Sequence, residues 1–394
     1  MKRADNPPGP AGQSSAELLI VGGGIMGLWA AVHAERLGIE TLLVDAGRFG
    51  QGASGGLLGA LMPHMPDKWS EKKQFQFDAL VSLEAEIAAL EAATGLSAGY
   101  RRAGRLIPLP KPHLRQIALG HSRDAETHWS QGGREFHWHV LDAAPVPGWI
   151  DPVAAESGFV FDTLAARVAP RALLQVLQGF LAKARHVRLV EGLSIDGIDP
   201  DKGVATTSEG DIRFGRCILS AGYKSFPILD GLTRDRKSAL GQPVKGQAAL
   251  LKADIDDSYP VIFRDGLYVV PHEGGLVAIG STSENRFEDP LSTDGQLDDL
   301  LAAARTMAPA LVRADVIERW VGLRPKAVDR DPMVGAHPDH PSLIALTGGF
   351  KVSFGLAHRL AEAAVREAGG TPCCFKLPQT FTLASHITVV SHKT

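Results

Sequence analysis

Two apolar runs, LLIV at 18–21 and TLLV at 41–44, show no polar alternation. Such runs predict short parallel strands buried on both faces. Residues 25–37 lie between them, apolar at first and charged at Glu35 and Arg36, with Gly38 as the stop. That pattern predicts a helix, so the three segments make one βαβ unit. Residues 71–94 mix apolar and charged positions at helical spacing, and 171–184 and 294–307 also read as helices. Strand-like runs fall near 104–108 and 158–162. Residues 187–221 read as short strands with turns at DPDKG and SEGD, ending in CILSAG. Residues 245–281 predict a strand and then a hairpin, GLYVVP and LVAIGS, with His272 exposed in the turn HEGG. IERWVGLRP predicts a strand leading into a loop, 342–346 a last buried strand and 355–368 a last helix. Strands with helical connections at both ends predict one α/β domain built from separated segments. The stretches between predict an antiparallel sheet.

Length and composition narrow the class. A chain of 394 residues predicts two domains. Hydrophobic residues are 44% and charged residues 22%, which suits a globular protein. A net charge of −3 gives no case for nucleic acid or an anionic membrane as partner. Cys217, Cys373 and Cys374 are too few for a disulfide framework, so a reducing, cytoplasmic setting is expected. Residues 1–16 read as a flexible tail without the apolar segment of a secretion signal. Residues 18–32 are uncharged, but their glycines and the flanking Glu17 and Glu35 favour a strand and helix over a membrane span. His137 and His139 alternate at strand spacing, with no third ligand in sight, so no metal is expected.

The glycines at 22, 24 and 27 form G-x-G-x-x-G after a strand and at a helix start, with Asp45 18 residues beyond the last. Gly22 permits the tight turn, Gly24 a close approach of backbone to a pyrophosphate, and Gly27 close packing of helix on strand. Ile25 and Met26 open the helix, whose N-terminus supplies N–H groups for phosphates. Asp45, with Ala46 beside it, would accept from a ribose. The alternative is a glycine-rich turn that holds nothing. The motif does not separate NAD from FAD. A second small-residue loop follows, with Ala53, Ser54, Gly59, Ala60 and Leu61. It lets backbone pass beside a flat ring, unless it is a plain surface loop.

At this point the chain resembles the FAD-dependent amino acid oxidases of the D-amino acid oxidase, glycine oxidase and sarcosine oxidase type. The resemblance covers about residues 17 to 370 and rests on five stretches in order. They are VGGGIMG with Asp45, GASGGLLGALMP, CILSAGYKS, PVKGQ before the hairpin, and RWVGLRPKAVDRDPMVG followed by LTGGFKVSFGLA. It implies a Rossmann-like FAD domain over 17–97, 163–241 and 318–372, and an antiparallel substrate domain over 98–162 and 242–317, before a C-terminal tail at 373–394. It implies hydride transfer from the amine-bearing carbon to flavin N5, an imine, and oxygen or another electron acceptor.

Residue roles follow from the same resemblance. Arg324 in GLRP matches a carboxylate anchor, chemically apt because a guanidinium fork binds carboxylate bidentately. Tyr268 matches a position whose hydroxyl adds a second bond. Lys351 matches the lysine of the sarcosine oxidase Gly-Phe-Lys and competes with Arg324 as main anchor. His64 follows the flavin loop and either faces the substrate or is a solvated loop residue. Gly322, Gly348, Gly349, Phe350, Val352 and Ser353 would lie along the flavin, Ala221 and Gly222 near its pyrophosphate, and Ile195 near its adenine. The sarcosine oxidase type links flavin through a cysteine near Arg324, but 316–332 contain none, so non-covalent FAD is expected. The expected substrate is a small carboxylated amine such as glycine, sarcosine or a D-amino acid, in a possible homo-oligomer. Two alternatives stay open: a dehydrogenase of an amino or hydroxy acid using a quinone or other acceptor, and a non-catalytic flavoprotein or oxidase subunit.

Overall fold

The computed structural model describes residues 13–392. The run LLIV ends a longer strand, Gln13–Val21, and its four residues are buried. This strand sits inside an eight-stranded sheet, parallel to Thr41–Asp45 on one side and Gly210–Leu219 on the other. A strand flanked by two others and covered on both faces has no wet side, which is why its sequence does not alternate. Val187–Glu191 runs parallel outside Thr41–Asp45, and Leu343–Thr347 runs parallel to the end of Gly210–Leu219. Ile195–Asp199, Val204–Thr207 and Met333–Ala336 add antiparallel strands. The helix Ile25–Leu37 packs against Ser353–Ala368 and Pro170–Leu181, so it is buried on most sides. Gly38 ends it at φ 69, donating to the carbonyls of Ala34 and Glu35.

The ends of the chain differ from expectation. Residues 13–16 were expected in a tail but belong to the first strand, where Gln13 pairs with Asp211. The rest of that tail, 1–12, lies outside the described residues. The expected C-terminal tail holds a helix, Leu383–His392, which packs on Met333–Ala336 and buries Leu383, His386 and Val390. Their spacing is helical, so 355–368 is not the last helix.

The second sheet also has eight strands, in the order Asp315–Ala327, Gly241–Lys252, Leu276–Gly280, Leu267–His272, Val261–Arg264, Arg105–Pro108, Phe159–Asp162, Trp138–Leu141. Neighbours are antiparallel except Val261–Arg264 and Arg105–Pro108. Its outer face carries Ala249, Val269 and Ile279 and packs on the helix Gly295–Met307 and Trp149. Its inner face carries Ala248, Val270 and Ala278, on which Leu57, Leu58 and Met62 of the first domain's small-residue loop rest. That face bounds the site. The loop expected after GLRP is a continuation of the strand Asp315–Ala327, because Pro325 pairs with Pro243 on the sheet's edge and no N–H is required of either. The helix Pro112–His128 had no sequence signal, since it buries only Ala118 and Ala125. No helix among the described residues is long and apolar enough to cross a membrane.

Candidate active site

The first motif divides into two kinds of glycine. Gly22 turns at φ +105, and a Cβ there would lie 2.6 Å from Ser220 O. A Cβ on Gly27 would lie 1.9 Å from Gly22 O. Both are fixed by protein packing. Gly24 has an ordinary φ of −76, and its Cβ would meet only Ser54 Oγ, at 3.1 Å. It stands at the N-terminus of Ile25–Leu37, where phosphate oxygens are stabilised. Ser54 Oγ accepts from Ile25 N at 2.9 Å, tying the small-residue loop, with Ala53, to that helix start.

Asp45 is held rather than free. Its Oδ2 accepts from Gly23 N at 2.7 Å and its Oδ1 from Gly47 N at 2.8 Å. A carboxylate has about four acceptor sites, so both oxygens can still take ribose hydroxyls. Ala46 is exposed beside it. Leu193 N donates to Asp45 O at 3.0 Å, which brings the approach to half-buried Ile195 alongside. Gly222 has open space where a Cβ would point, and its carbonyl accepts from Thr347 Oγ1 at 2.8 Å. Ala221 and Gly222 are thereby joined to the Gly348 segment. The residues present thus fit a dinucleotide, with a glycine-led helix start at Gly24 and a fixed acid at the end of the second strand.

Further along, Gly59 O accepts from Val168 N at 3.0 Å, and Ala60 and Leu61 pair with Arg167 and Ala166. Gly322 lies on the inner face of the second sheet, where a Cβ would be 2.4 Å from the Trp320 indole. The same indole would be 3.3 Å from a Cβ on Gly56. Trp320 therefore fills the seam between loop and sheet, a residue the sequence motifs passed over. Gly349 bridges Lys326, and Phe350 N donates to Pro325 O at 3.1 Å. Phe350 has φ 44, a conformation costing about 1–3 kcal/mol in a non-glycine residue and kept only by its surroundings. Val352 N donates to Gly349 O at 2.9 Å, leading into the helix at Ser353. A Cβ on Gly349 would lie 2.6 Å from Met26 Cε. Two helix N-termini thus converge here, and their partial positive charges favour an anion.

Arg324 projects from the inner face. Its Nη1 donates to Ser281 Oγ at 3.0 Å, and Nη2 donates to Thr282 O and, at 3.3 Å, to Lys245 O. Nε is buried without a partner. No carboxylate among the described residues pairs with it. Burial pushes its pKa down to about 10, against pulls upward from Tyr268 and Glu284. Tyr268 is half-buried, its ring 4.8 Å from Phe263. Burial raises its pKa, opposed by the charges of Arg105 and Arg324. Phe350 lies between the cations, with Arg324 Cζ 5.3 Å and Lys351 Nζ 5.7 Å from its centroid. Lys351 is exposed, yet burial of its head group and the charges of Arg324 and Arg330 hold its pKa down. His64 is likewise exposed but surrounded. Burial first, then Lys73, lowers its pKa. The structure thus brings Arg324, Tyr268, Lys351 and Phe350 together, while His64 feels the charge of Arg105.

One expectation changes. His272 was expected exposed but is 4% exposed, with Nε2 3.1 Å from Leu57 O. The strand Leu267–His272 includes it, so the turn begins one residue later, and burial lowers its pKa to about 4. His137 and His139 do share a face, with centroids 5.2 Å apart, but no metal-binding group of three ligands occurs among the described residues.

Comparison with known proteins agrees with this geometry. The model of the FAD dependent oxidoreductase family, DAO, matches residues 17–363. A glycine oxidase of Pseudomonas putida is 28% identical over 356 residues, 87% of this chain and 92% of its own. The structure of glycine oxidase from Geobacillus kaustophilus superposes with a TM-score of 0.84 at 21% identity, over 94% of this chain and 98% of that one. L-proline dehydrogenase from P. horikoshii shares the fold, with a TM-score of 0.77 at 16% identity, over 93% of this chain and 96% of that one.

Proposed function

The chain belongs to the DAO family of FAD-dependent oxidoreductases, and from that premise we propose that it oxidises a small amine bearing a carboxylate. Its similarity to glycine oxidases supports an amino acid or N-alkyl amino acid as substrate. One observation carries the reading: Arg324 is a half-buried cation with an enclosed Nε, whose protein hydrogen-bond partners are all neutral oxygens. A buried charge without a counter-ion is costly, and a substrate carboxylate supplies one. A charge-assisted hydrogen bond of this kind is worth about 1.5–3 kcal/mol. Tyr268 keeps its proton at neutral pH, because burial raises its pKa, and donates to the same carboxylate. Lys351 adds positive charge at the mouth. His64 is neutral at pH 7, its pKa being lowered, so its imidazole can take the proton of a substrate ammonium.

Bound FAD would accept the hydride from the amine-bearing carbon. Gly24, Asp45, Ser54 and Gly222 would hold its dinucleotide end, and Gly322 with Gly348–Ser353 its ring. Non-covalent retention is supported by the cysteines, since Cys217 is fully buried in the first sheet and Cys373 and Cys374 lie beyond the helix Ser353–Ala368. The test is a visible spectrum of the purified protein, then anaerobic addition of glycine, sarcosine, proline and both enantiomers of the other common amino acids. Bleaching of a yellow protein by a carboxylated amine, and not by its decarboxylated analogue, is expected. A protein that stays yellow with all of them would refute the proposal. Reoxidation in air with peroxide release marks an oxidase. Recovery only with an artificial acceptor marks a dehydrogenase.

A further inference from the structure

Arg105 stands on the inner face of the second sheet and is 2% exposed. It pairs across strands with Asp162, and Asp162 pairs with Trp138, so all three share a face. Nε donates to Asp162 Oδ2 at 2.6 Å, and Nη2 lies 2.6 Å from the same oxygen without hydrogen-bond alignment. Asp162 Oδ1 accepts from Ala165 N at 2.8 Å. The guanidinium carbon is 5.5 Å from the Trp138 centroid and 5.9 Å from that of Phe263, the residue that touches Tyr268. Among the described residues Nη1 has no acceptor. A guanidinium this deep with unmet donors is unusual for a purely structural group. Its charge also reaches the site, since it acts on both Tyr268 and His64.

Position sets a direction. Arg324 bonds Ser281, just past Leu276–Gly280. Arg105–Pro108 lies three strand spacings across the same sheet, about 14 Å sideways, with the strand of Tyr268 between them. A substrate held by its carboxylate at Arg324 would therefore extend its side chain past Tyr268 toward Arg105, which only a long side chain reaches. Charge sets the chemistry. Asp162 already balances Arg105, so a second carboxylate would add an uncompensated buried charge, whereas a neutral oxygen satisfies the free donor at no such cost.

We propose that Arg105, held by Asp162, is a specificity-determining residue that donates to a neutral oxygen on the substrate's tail, selecting side chains that end in an amide. This rests on the reading of Arg324 as the carboxylate anchor. The experiment compares glutamine, norvaline and glutamate, in both enantiomers, by kcat/KM. It also titrates the flavin spectrum with two unreactive mimics, glutarate monoamide and pentanoate. The amide is expected to exceed the methyl-ended partner at least tenfold in both measurements. Arg105→Met should bring that ratio to about one. Asp162→Asn, which frees the positive charge, should shift preference from glutamine toward glutamate, a reversal that a merely structural pair would not give. A wild-type ratio near one, a wild-type preference for glutamate, or a ratio unmoved in a folded, yellow Arg105→Met would overturn the proposal. If the variants do not fold, the wild-type ratio and the titration decide. Failure of every amine to reduce the flavin would count against the proposed function alone, and the titration would still test Arg105.

Discussion

Gly24 and Gly27 belong to one motif but answer to different constraints. A methyl on Gly27 would collide with Gly22 O, whereas one on Gly24 meets only a serine hydroxyl. Gly27→Ala is therefore expected to destabilise the protein even without flavin, by at least about 2 kcal/mol, visible as a lowered Tm of the apoprotein. Gly24→Ala should leave the apoprotein Tm within a few degrees but lower flavin retention at least tenfold, measured by the yellow fraction after gel filtration. Equal behaviour of the two variants would contradict this division. At the other end of the site, Arg324→Met should raise KM about 10- to 100-fold for carboxylated amines and leave the colour intact. An unchanged KM would remove Arg324 as anchor. The motif glycines could be singled out because they stand in a short local pattern, and Arg324 because GLRP resembles the family's. Arg105 and Trp320 could not, because their meaning comes from partners distant in sequence, Asp162 on a neighbouring strand and Gly56 in the small-residue loop. His272 was misplaced by one residue of turn, which sufficed to move it from solvent to the interior.

Among the elements, the βαβ start, the hairpin and the helix before Gly38 could be read from periodicity and glycine stops alone. The strand through Arg324 could not be read to its end, because proline normally forbids what an edge position allows. The helix Leu383–His392 was missed because it is short and buries only Leu383, His386 and Val390. Those few matter, since Leu383 and Val390 are fully buried and His386 Nε2 lies 3.1 Å from Pro332 O. Burial of such side chains contributes about 1.5–3 kcal/mol each. A chain stopped before Leu383 is expected to lose several kcal/mol, and flavin with it, because Asp331 and Met333, on either side of Pro332, back the Gly348 turn. Denaturant unfolding of the shortened and full chains measures this. Coincident midpoints would show the helix to be dispensable.

For the molecule as a whole, buried histidines set the behaviour in acid. His33, in the first helix, and His272 are both held by burial near a pKa of about 4. His358, packed against His33 between the helices, is depressed further by burial and by the neighbouring His33. An unfolded chain takes up these protons below about pH 6.5, while the folded protein resists until about pH 4. Stability is thus full above about pH 6.5 and falls across that window, by on the order of 2–3 kcal/mol for each of His33 and His272. Thermal melts at about pH 7 and about pH 4.5 check this, and a Tm that does not move would speak against it.

The first strand takes its inner neighbour from residues near 215, and the sheet's last parallel member comes from 343–347. During synthesis the opening βαβ unit leaves the ribosome long before either. It must wait, with its apolar face unsatisfied, until almost the whole polypeptide has emerged. A nascent chain halted short of residue 343 is therefore expected to depend on chaperones and to remain colourless.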